Sequence, residues 1–287
     1  MSAAIEIPGA DAAATALRRA ALADGPDDRA FAFDTHGAVA QDIFLAEVRG
    51  VAAGLPQAEC AINLCEDRYR FLVAFCAAAL RGQTVLLPPA RTPAAIEEVR
   101  RQYPDSYCIA DVAPAPAPPR LHVLPEVLPG RDGPMPEVDP DALAMIGFTS
   151  GSTGTPKANP KTWRSLRIST AQNLAALRHL WPLGEVLPAD VLPVIATVPP
   201  QHMYGMELSV LLPLFAPVAV HRGRPFFPDD IACALRDAAA PVLLVTTPVH
   251  LRALVESGVV LPTLAGIVTA TAPEDIASYA QRVGDSW

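Results

Sequence analysis

The densest group of chemistry-bearing residues in this chain is Phe148 to Lys157, which reads FTSGSTGTPK. Hydroxyl side chains are interleaved with Gly151 and Gly154, and the run closes on Thr155-Pro156-Lys157. Small residues let a backbone approach a ligand closely, exposed amides and hydroxyls hydrogen-bond phosphate oxygens, and a lysine adds a mobile positive charge. The run follows Ala142-Leu-Ala-Met-Ile-Gly-Phe148, an apolar segment expected to be a buried strand. A strand feeding a Gly/Ser/Thr loop is a phosphate-binding arrangement, so the chemistry to test first is that of a nucleotide. The plainer alternative is a flexible Gly/Ser surface turn.

Two common nucleotide motifs are excluded by spacing. A Walker loop needs four residues between its glycines and Ser or Thr directly after its lysine. Here Gly151 and Gly154 are two residues apart, and Ala158 follows Lys157. The dinucleotide fingerprint needs G-x-G, which the segment lacks.

The elements that must position this loop are legible as an alternation of strands and helices. Cys60–Leu64, Thr84–Leu87 and Tyr107–Ala110 read as buried strands. Tyr69–Arg81 reads as a helix ended by Gly82, and Thr92 caps another with Pro93 in its first turn. Beyond the loop, Trp163–Leu180 has helical periodicity through Leu166, Leu174 and Leu177. Val191–Val198 is expected to be a strand, Met203–Leu214 a helix, and Pro217–Val220, Val242–Val245 and Gly266–Thr269 strands, with helices starting near Pro228, Pro248 and Pro273. The pattern is α/β with mostly parallel sheets flanked by helices. In such sheets ligands gather at the carboxyl ends of strands. Three loops occupy such ends: the one at Thr149, Gln201-His-Met-Tyr-Gly205, and Thr269-Ala-Thr-Ala-Pro273.

Composition narrows the classes further. The chain has 287 residues, 51% hydrophobic, enough for a sizeable core. Its 22 basic and 30 acidic side chains leave a formal charge of −8, with no basic patch, which argues against a nucleic-acid partner. Five cysteines form no C-x-x-C pair, as expected of reduced thiols in a cytosol. The N-terminus lacks the pattern of a signal peptide, and the longest uncharged apolar run, Phe71–Leu80, is too short to span a bilayer. The expectation is a cytoplasmic protein without a membrane span. Ala113-Pro-Ala-Pro-Ala-Pro-Pro119 reads as an extended connector.

With these elements in place, FTSGSTGTPK resembles the phosphate-binding signature of the AMP-forming acyl-adenylate synthetases, the superfamily of acyl-CoA synthetases, firefly-type luciferases and peptide-synthetase adenylation domains. The segment Phe71–Gly82 with Val85-Leu-Leu-Pro88 looks like the family's early helix, glycine and strand. Pro200-Gln-His-Met-Tyr-Gly205 looks like its acyl-site motif. Val242–Leu254 is similar to the segment before its adenine loop, and Thr269–Pro273 stands where that loop belongs. The resemblance runs from about Phe31 to the end of the chain.

It implies the N-terminal domain of the adenylate-forming fold over residues 1–287, with approximate subregions 1–157 and 158–287 and no C-terminal lid domain in this chain. It implies ATP-dependent conversion of a small carboxylic acid, aryl or fatty acyl, to acyl-AMP with release of pyrophosphate. Thr149, Ser150, Gly151, Ser152, Thr153, Gly154, Thr155 and Lys157 would hold the ATP phosphates. Thr149, Lys157 and His202 would be the catalytic residues. His202, Met203, Tyr204 and Gly205 would meet the acyl substrate, and Ala270, Thr271, Ala272 and Pro273 the adenine. Mg²⁺ would arrive with the phosphates, without a separate protein metal site. CoA or phosphopantetheine would be the acceptor, which makes an acyl carrier protein a candidate partner.

The departures from the family pattern are specific. Ala158 replaces a glycine, Ala270 replaces another, and Ala158-Asn-Pro-Lys-Thr-Trp163 lacks the usual histidine, a variant that looks like ligases of aryl-polyene or xanthomonadin-type pigment clusters. The family's Tyr-Gly-x-Thr-Glu motif and C-terminal lysine have no counterpart here. That leaves two further readings: a non-catalytic ATP- or acyl-binding module of the same fold, and an unrelated kinase-like nucleotide enzyme.

Other residues take structural readings. His202 alone would be a surface histidine; its Pro-x-His-x-x-Gly setting after a strand makes it a substrate-site residue. The remaining histidines lack metal spacing. Asp229-Asp230 suits a helix first turn. Trp163 reads as a core aromatic. Amino-acid-activating relatives need an acidic residue near the acyl motif; Pro200–Gly205 has none, and Glu207 is the nearest, so an acid without an α-amine is expected.

Overall fold

The computed structural model describes residues 19–149, 157–180 and 191–269. Two six-stranded sheets carry the described chain. The first runs β10 (Lys157–Thr162), β9 (Leu143–Thr149), β5 (Thr84–Leu87), β4 (Cys60–Asn63), β6 (Ser106–Ala110), β7 (Leu121–Val123). The second runs β14 (Leu264–Thr269), β13 (Val242–Thr246), β11 (Leu192–Ala196), β12 (Val218–His221), β2 (Ala30–Asp34), β3 (Gly37–Ala40). Within each sheet all neighbours are parallel except one edge pair, β10 with β9 and β3 with β2. A short antiparallel pair, β1 (Ala20–Ala21) with β8 (Glu137–Val138), stands apart.

Central strands buried on both faces need side chains that are apolar at every position. Strands β4, β6, β11 and β13 are buried throughout. Pro160 cannot donate to a ladder, and it is tolerated because β10 is an edge. Hairpin β2–β3 lies in the second sheet although it precedes the first in sequence, while β10, beyond residue 157, completes the first.

Helix α1 (Gln41–Gly54) follows β3. Its Gly50 is required by packing, since a Cβ there would stand 1.8 Å from the Pro129 carbonyl oxygen. Helix α2 (Arg68–Leu80) is the centre of the molecule. Ten of its thirteen residues are buried, so it has no solvent face, and it packs against β4 and β5 of one sheet and β12 of the other. Asp67 caps it, Oδ1 accepting from the Arg70 amide at 2.8 Å, and Gly82 ends it with φ +68°, as the sequence suggests.

Helix α3 (Pro93–Gln102) is capped by Thr92 and α8 (Pro248–Ser257) by Thr247, each with proline in its first turn. Between them in sequence lie α4 (Trp163–Leu180), α5 (Met203–Met206), α6 (Leu212–Phe215) and α7 (Pro228–Arg236). Asp230 closes the N-terminus of α7 by accepting from the Phe227 amide at 3.1 Å, the first-turn role expected of it. Trp163 is buried and packs on Phe75, ring centres 5.3 Å apart.

The single helix expected over Met203–Leu214 is interrupted. Residues Glu207–Leu211 form a π-helical stretch between α5 and α6. Two causes are visible: Pro213 has no amide to give back to the ladder, and the Ser209 hydroxyl donates to the Gly205 carbonyl at 2.6 Å.

Candidate active site

A cleft of about 570 Å³ opens where the two halves face each other. One wall comes from the carboxyl ends of β5 and β9 and from the edge strand β10: Leu87, Pro88, Pro89, Gly147, Phe148, Thr149, Asn159 and Lys161. The other comes from the turn after β11 and the start of the interrupted helix: Gln201, His202, Met203 and Glu207. This is the edge at which a parallel sheet offers strand ends and loop amides to a ligand.

Thr149 and Lys157 are register partners in the antiparallel pair, so the two ends of the glycine-rich loop are held side by side. Both are exposed, and Thr149 lines the cleft. The residues between them expected to hold phosphates, Ser150, Gly151, Ser152, Thr153, Gly154 and Thr155, lie outside the described residues. So do Ala270, Thr271, Ala272 and Pro273, expected to meet the adenine. Thr269, the last described residue before them, ends β14.

His202 is exposed on the opposite wall as the N-cap of α5, and its amide donates to the Pro199 carbonyl at 3.3 Å. Met203 lines the cleft beside it. Tyr204 and Gly205 do not reach the lining. Tyr204 packs against the main core, and burial raises its phenol pKa. Gly205 is buried, and a Cβ there would lie 2.1 Å from the Pro199 carbonyl oxygen, so glycine serves backbone approach within the turn.

The structure brings in residues that the sequence pattern did not single out. Asn159 and Lys161 line the cleft because β10 is a strand; alternation along it was the available signal, and Pro160 obscured it. Glu207, the acidic residue nearest the acyl motif, faces the cleft with Oε2 accepting from Asn173 Nδ2 at 3.4 Å. The turn itself is braced by Arg68, fully buried at the start of α2. Its Nη2 donates to the Ala196 and Val198 carbonyls, both at 2.8 Å, and its Nη1 donates to Ser209 Oγ.

A second polar group sits at the carboxyl ends of β11 and β13. Thr197 Oγ1 lies 2.7 Å from His250 Nδ1 and 3.0 Å from Thr246 Oγ1. Burial, and secondarily the Arg224 charge, hold the His250 pKa below its ordinary 6.5, and burial does the same for His122. A histidine depressed in the fold takes up its proton more readily when unfolded, so stability is full above pH 6.5 and falls as pH drops through that value. The urea midpoint should therefore fall between pH 7 and about 5.5. It should fall less in His250→Gln; an equal fall in the variant would mean that other groups set the slope.

The described cleft brings the Thr149 hydroxyl, the Lys161 ammonium, an exposed histidine, His202, and the Glu207 carboxylate around one space. Among the described residues no three His, Cys, Asp or Glu side chains converge as a metal nest. The cysteines Cys60, Cys65, Cys76 and Cys108 are buried, and burial raises their thiol pKa values. No described helix is long and apolar enough to cross a membrane.

Residues 23–278 match the family described as AMP-binding enzyme. The chain belongs to that family. Two curated relatives share part of it: the 4-coumarate–CoA ligase of Rhodobacter capsulatus, 38% identical over 120 residues, and the sulfoacetate–CoA ligase of Cupriavidus necator, 35% identical over 95. These alignments cover 42% and 33% of this chain but 28% and 16% of the relatives' lengths. The crystal structure of ATP-bound MatB from Rhodopseudomonas palustris superposes with a TM-score of 0.67 at 19% identity, covering 91% of this chain and 55% of that one. The shared feature at that identity is the fold: the two sheets and their helices are those of the N-terminal domain of adenylate-forming enzymes.

Proposed function

We propose that this chain carries the ATP- and acid-binding site of an AMP-forming acid–thiol ligase. The observation that supports it most is the pairing of Thr149 with Lys157 at the mouth of a cleft whose far wall presents His202. A substrate carboxylate oxygen attacks the α-phosphorus of ATP. The bond from that phosphorus to its bridging oxygen breaks, and pyrophosphate leaves with the electron pair. The demand on the protein is to position two anions and to neutralise charge on the leaving phosphates. Lys157 and the Thr149 hydroxyl serve the leaving group, and His202 borders the carboxylate. Mg²⁺ bound to the phosphates would supply further charge neutralisation.

The apolar part of the lining supports an acid class. Leu87, Pro88, Pro89, Phe148 and Met203 form apolar walls suited to an aryl or fatty acyl group, and one relative is a 4-coumarate–CoA ligase. Both relatives are CoA ligases, which supports transfer of the acyl group to CoA or to a carrier-protein phosphopantetheine.

Acid-dependent exchange of labelled pyrophosphate into ATP tests this reading. Lys157→Ala should lower kcat/KM for ATP by about 100-fold, as loss of one preorganised donor does elsewhere. Its melting temperature should be unchanged, because an exposed side chain contributes little packing. Exchange that persists in the variant, or phosphoryl transfer without pyrophosphate, would contradict the assignment.

A further inference from the structure

Lys161 is a second cation in the cleft, and neither the sequence motif nor the family match gives it a task. Alternate residues of a strand share a face, so Lys157, Asn159 and Lys161 form one row along β10, and the latter two line the cleft. The row spans roughly 13 Å from Lys157 to Lys161, four residues at strand rise. Lys157 stands at the loop end, and Lys161 lines the cleft four residues further along the strand.

The local geometry at Lys161 is irregular. It pairs with Met145, while the next residue, Thr162, pairs with Leu143, so Ala144 is an extra residue on the partner strand. Such irregularities re-aim side chains and are frequent beside active sites. Asn159 spends its amide on the strand itself, Nδ2 donating to the Lys157 carbonyl at 3.1 Å and the Gly147 carbonyl at 3.4 Å. No ion pair within 4.0 Å holds Lys161 among the described residues, Glu207 on the facing wall included. The cleft thus has a cation on one wall and a carboxylate on the other, with space for a ligand between them.

We propose that Lys161 binds the carboxylate of the acid substrate. The inference rests on the ligase reading above and adds the residue that overcomes its main electrostatic obstacle. Carboxylate and α-phosphate are both anions and must come into contact before attack; a cation on the carboxylate offsets their repulsion without holding the nucleotide. Lys157 is occupied at the phosphate end. Glu207 repels a carboxylate placed against it, so the acid is oriented with its reacting end toward Lys161 and only the His202 end of the far wall borders it.

The test uses the full chain in pyrophosphate exchange with 4-coumarate, benzoate, octanoate and sulfoacetate as probe acids. With the best acid, Lys161→Met should raise the acid KM about 10- to 100-fold, the range for loss of a charge-assisted hydrogen bond. The ATP KM should stay within about twofold, and Lys161→Arg should recover most of the loss by keeping the charge. An unchanged acid KM in soluble, folded Lys161→Met overturns the inference and leaves the ligase reading intact. Equal rises in both KM values would also overturn it, placing Lys161 on the phosphates. Should Lys161→Met fail to fold, Lys161→Gln replaces it with the same two criteria. Absence of exchange by the unsubstituted chain with every acid overturns the ligase reading and this inference with it.

Discussion

Arg68→Met should lower the unfolding free energy by about 3 kcal/mol, with acid use falling more than ATP use. Arg68 is fully buried and, among the described residues, has no carboxylate partner in hydrogen-bond contact; its charge is solvated by two carbonyls and a hydroxyl. Burial brings its pKa down to about 9, which still leaves it charged at neutral pH. Methionine preserves much of the volume, so the loss is one of hydrogen bonds. The Ala196 and Val198 carbonyls would lose their buried donor, at about 1–3 kcal/mol each, and Ser209 Oγ would keep only its bond to Gly205, partly offset by no longer burying a charge.

The acceptors explain why function should follow. Ala196 and Val198 lead into the turn that presents His202, and Ser209 donates in turn to Gly205. Arg68 also holds the two halves together, since its own amide donates to the Arg222 carbonyl at 2.9 Å. Arg68→Lys keeps a charge but loses the planar fork, so it should fall between the two. Urea unfolding with separate KM values for acid and ATP checks this. A Met variant as stable as the unsubstituted chain would show that the desolvation penalty equals everything the three bonds return.

Much of this architecture is legible in the residues because local and tertiary signals agree. The buried strands β4, β5, β6 and β13 are apolar at successive positions, and the helices at Pro93, Pro228 and Pro248 carry their own start signals. Gly82 is legible as a helix end because only its φ of +68° needs glycine there. The residues flanking the glycine-rich loop, Thr149 and Lys157, prove to be strand partners.

What escaped depends on partners distant in sequence. Hairpin β2–β3 is short, and it is stabilised by pairing with β12, far along the chain. Strand β10 contains a proline, and only its position at a sheet edge makes that acceptable. Arg68 looks like any charged helix-start residue until two carbonyls and a hydroxyl from the other half are placed around it. Lys161 and Glu207 line a common cleft only because the halves face one another across it.

Gly205→Ala should be the most damaging single-carbon change at the site. Its sequence setting, four residues before Ser209 in a helical run, suggests that alanine would be welcome for propensity alone. Packing decides otherwise. The added Cβ would lie 2.1 Å from the Pro199 carbonyl oxygen and 2.9 Å from its carbon, with Val198 Cγ2 at 3.3 Å. The closest neighbour is backbone, so no side-chain rotation relieves the clash, and the turn must move. Overpacking of this kind costs about 1–3 kcal/mol, here toward the upper end. The displaced segment carries His202 and Met203 on the cleft wall. A shift of about 1 Å in such groups reduces turnover by about 100-fold. Gly205→Ala should therefore raise the acid KM and lower kcat while ATP binding, which we propose is held at the Thr149–Lys157 end, persists. Equilibrium binding of ATP alongside exchange kinetics separates these effects. Normal acid kinetics in the variant would show that the turn can yield without moving the wall, and would detach Gly205 from the acid site altogether.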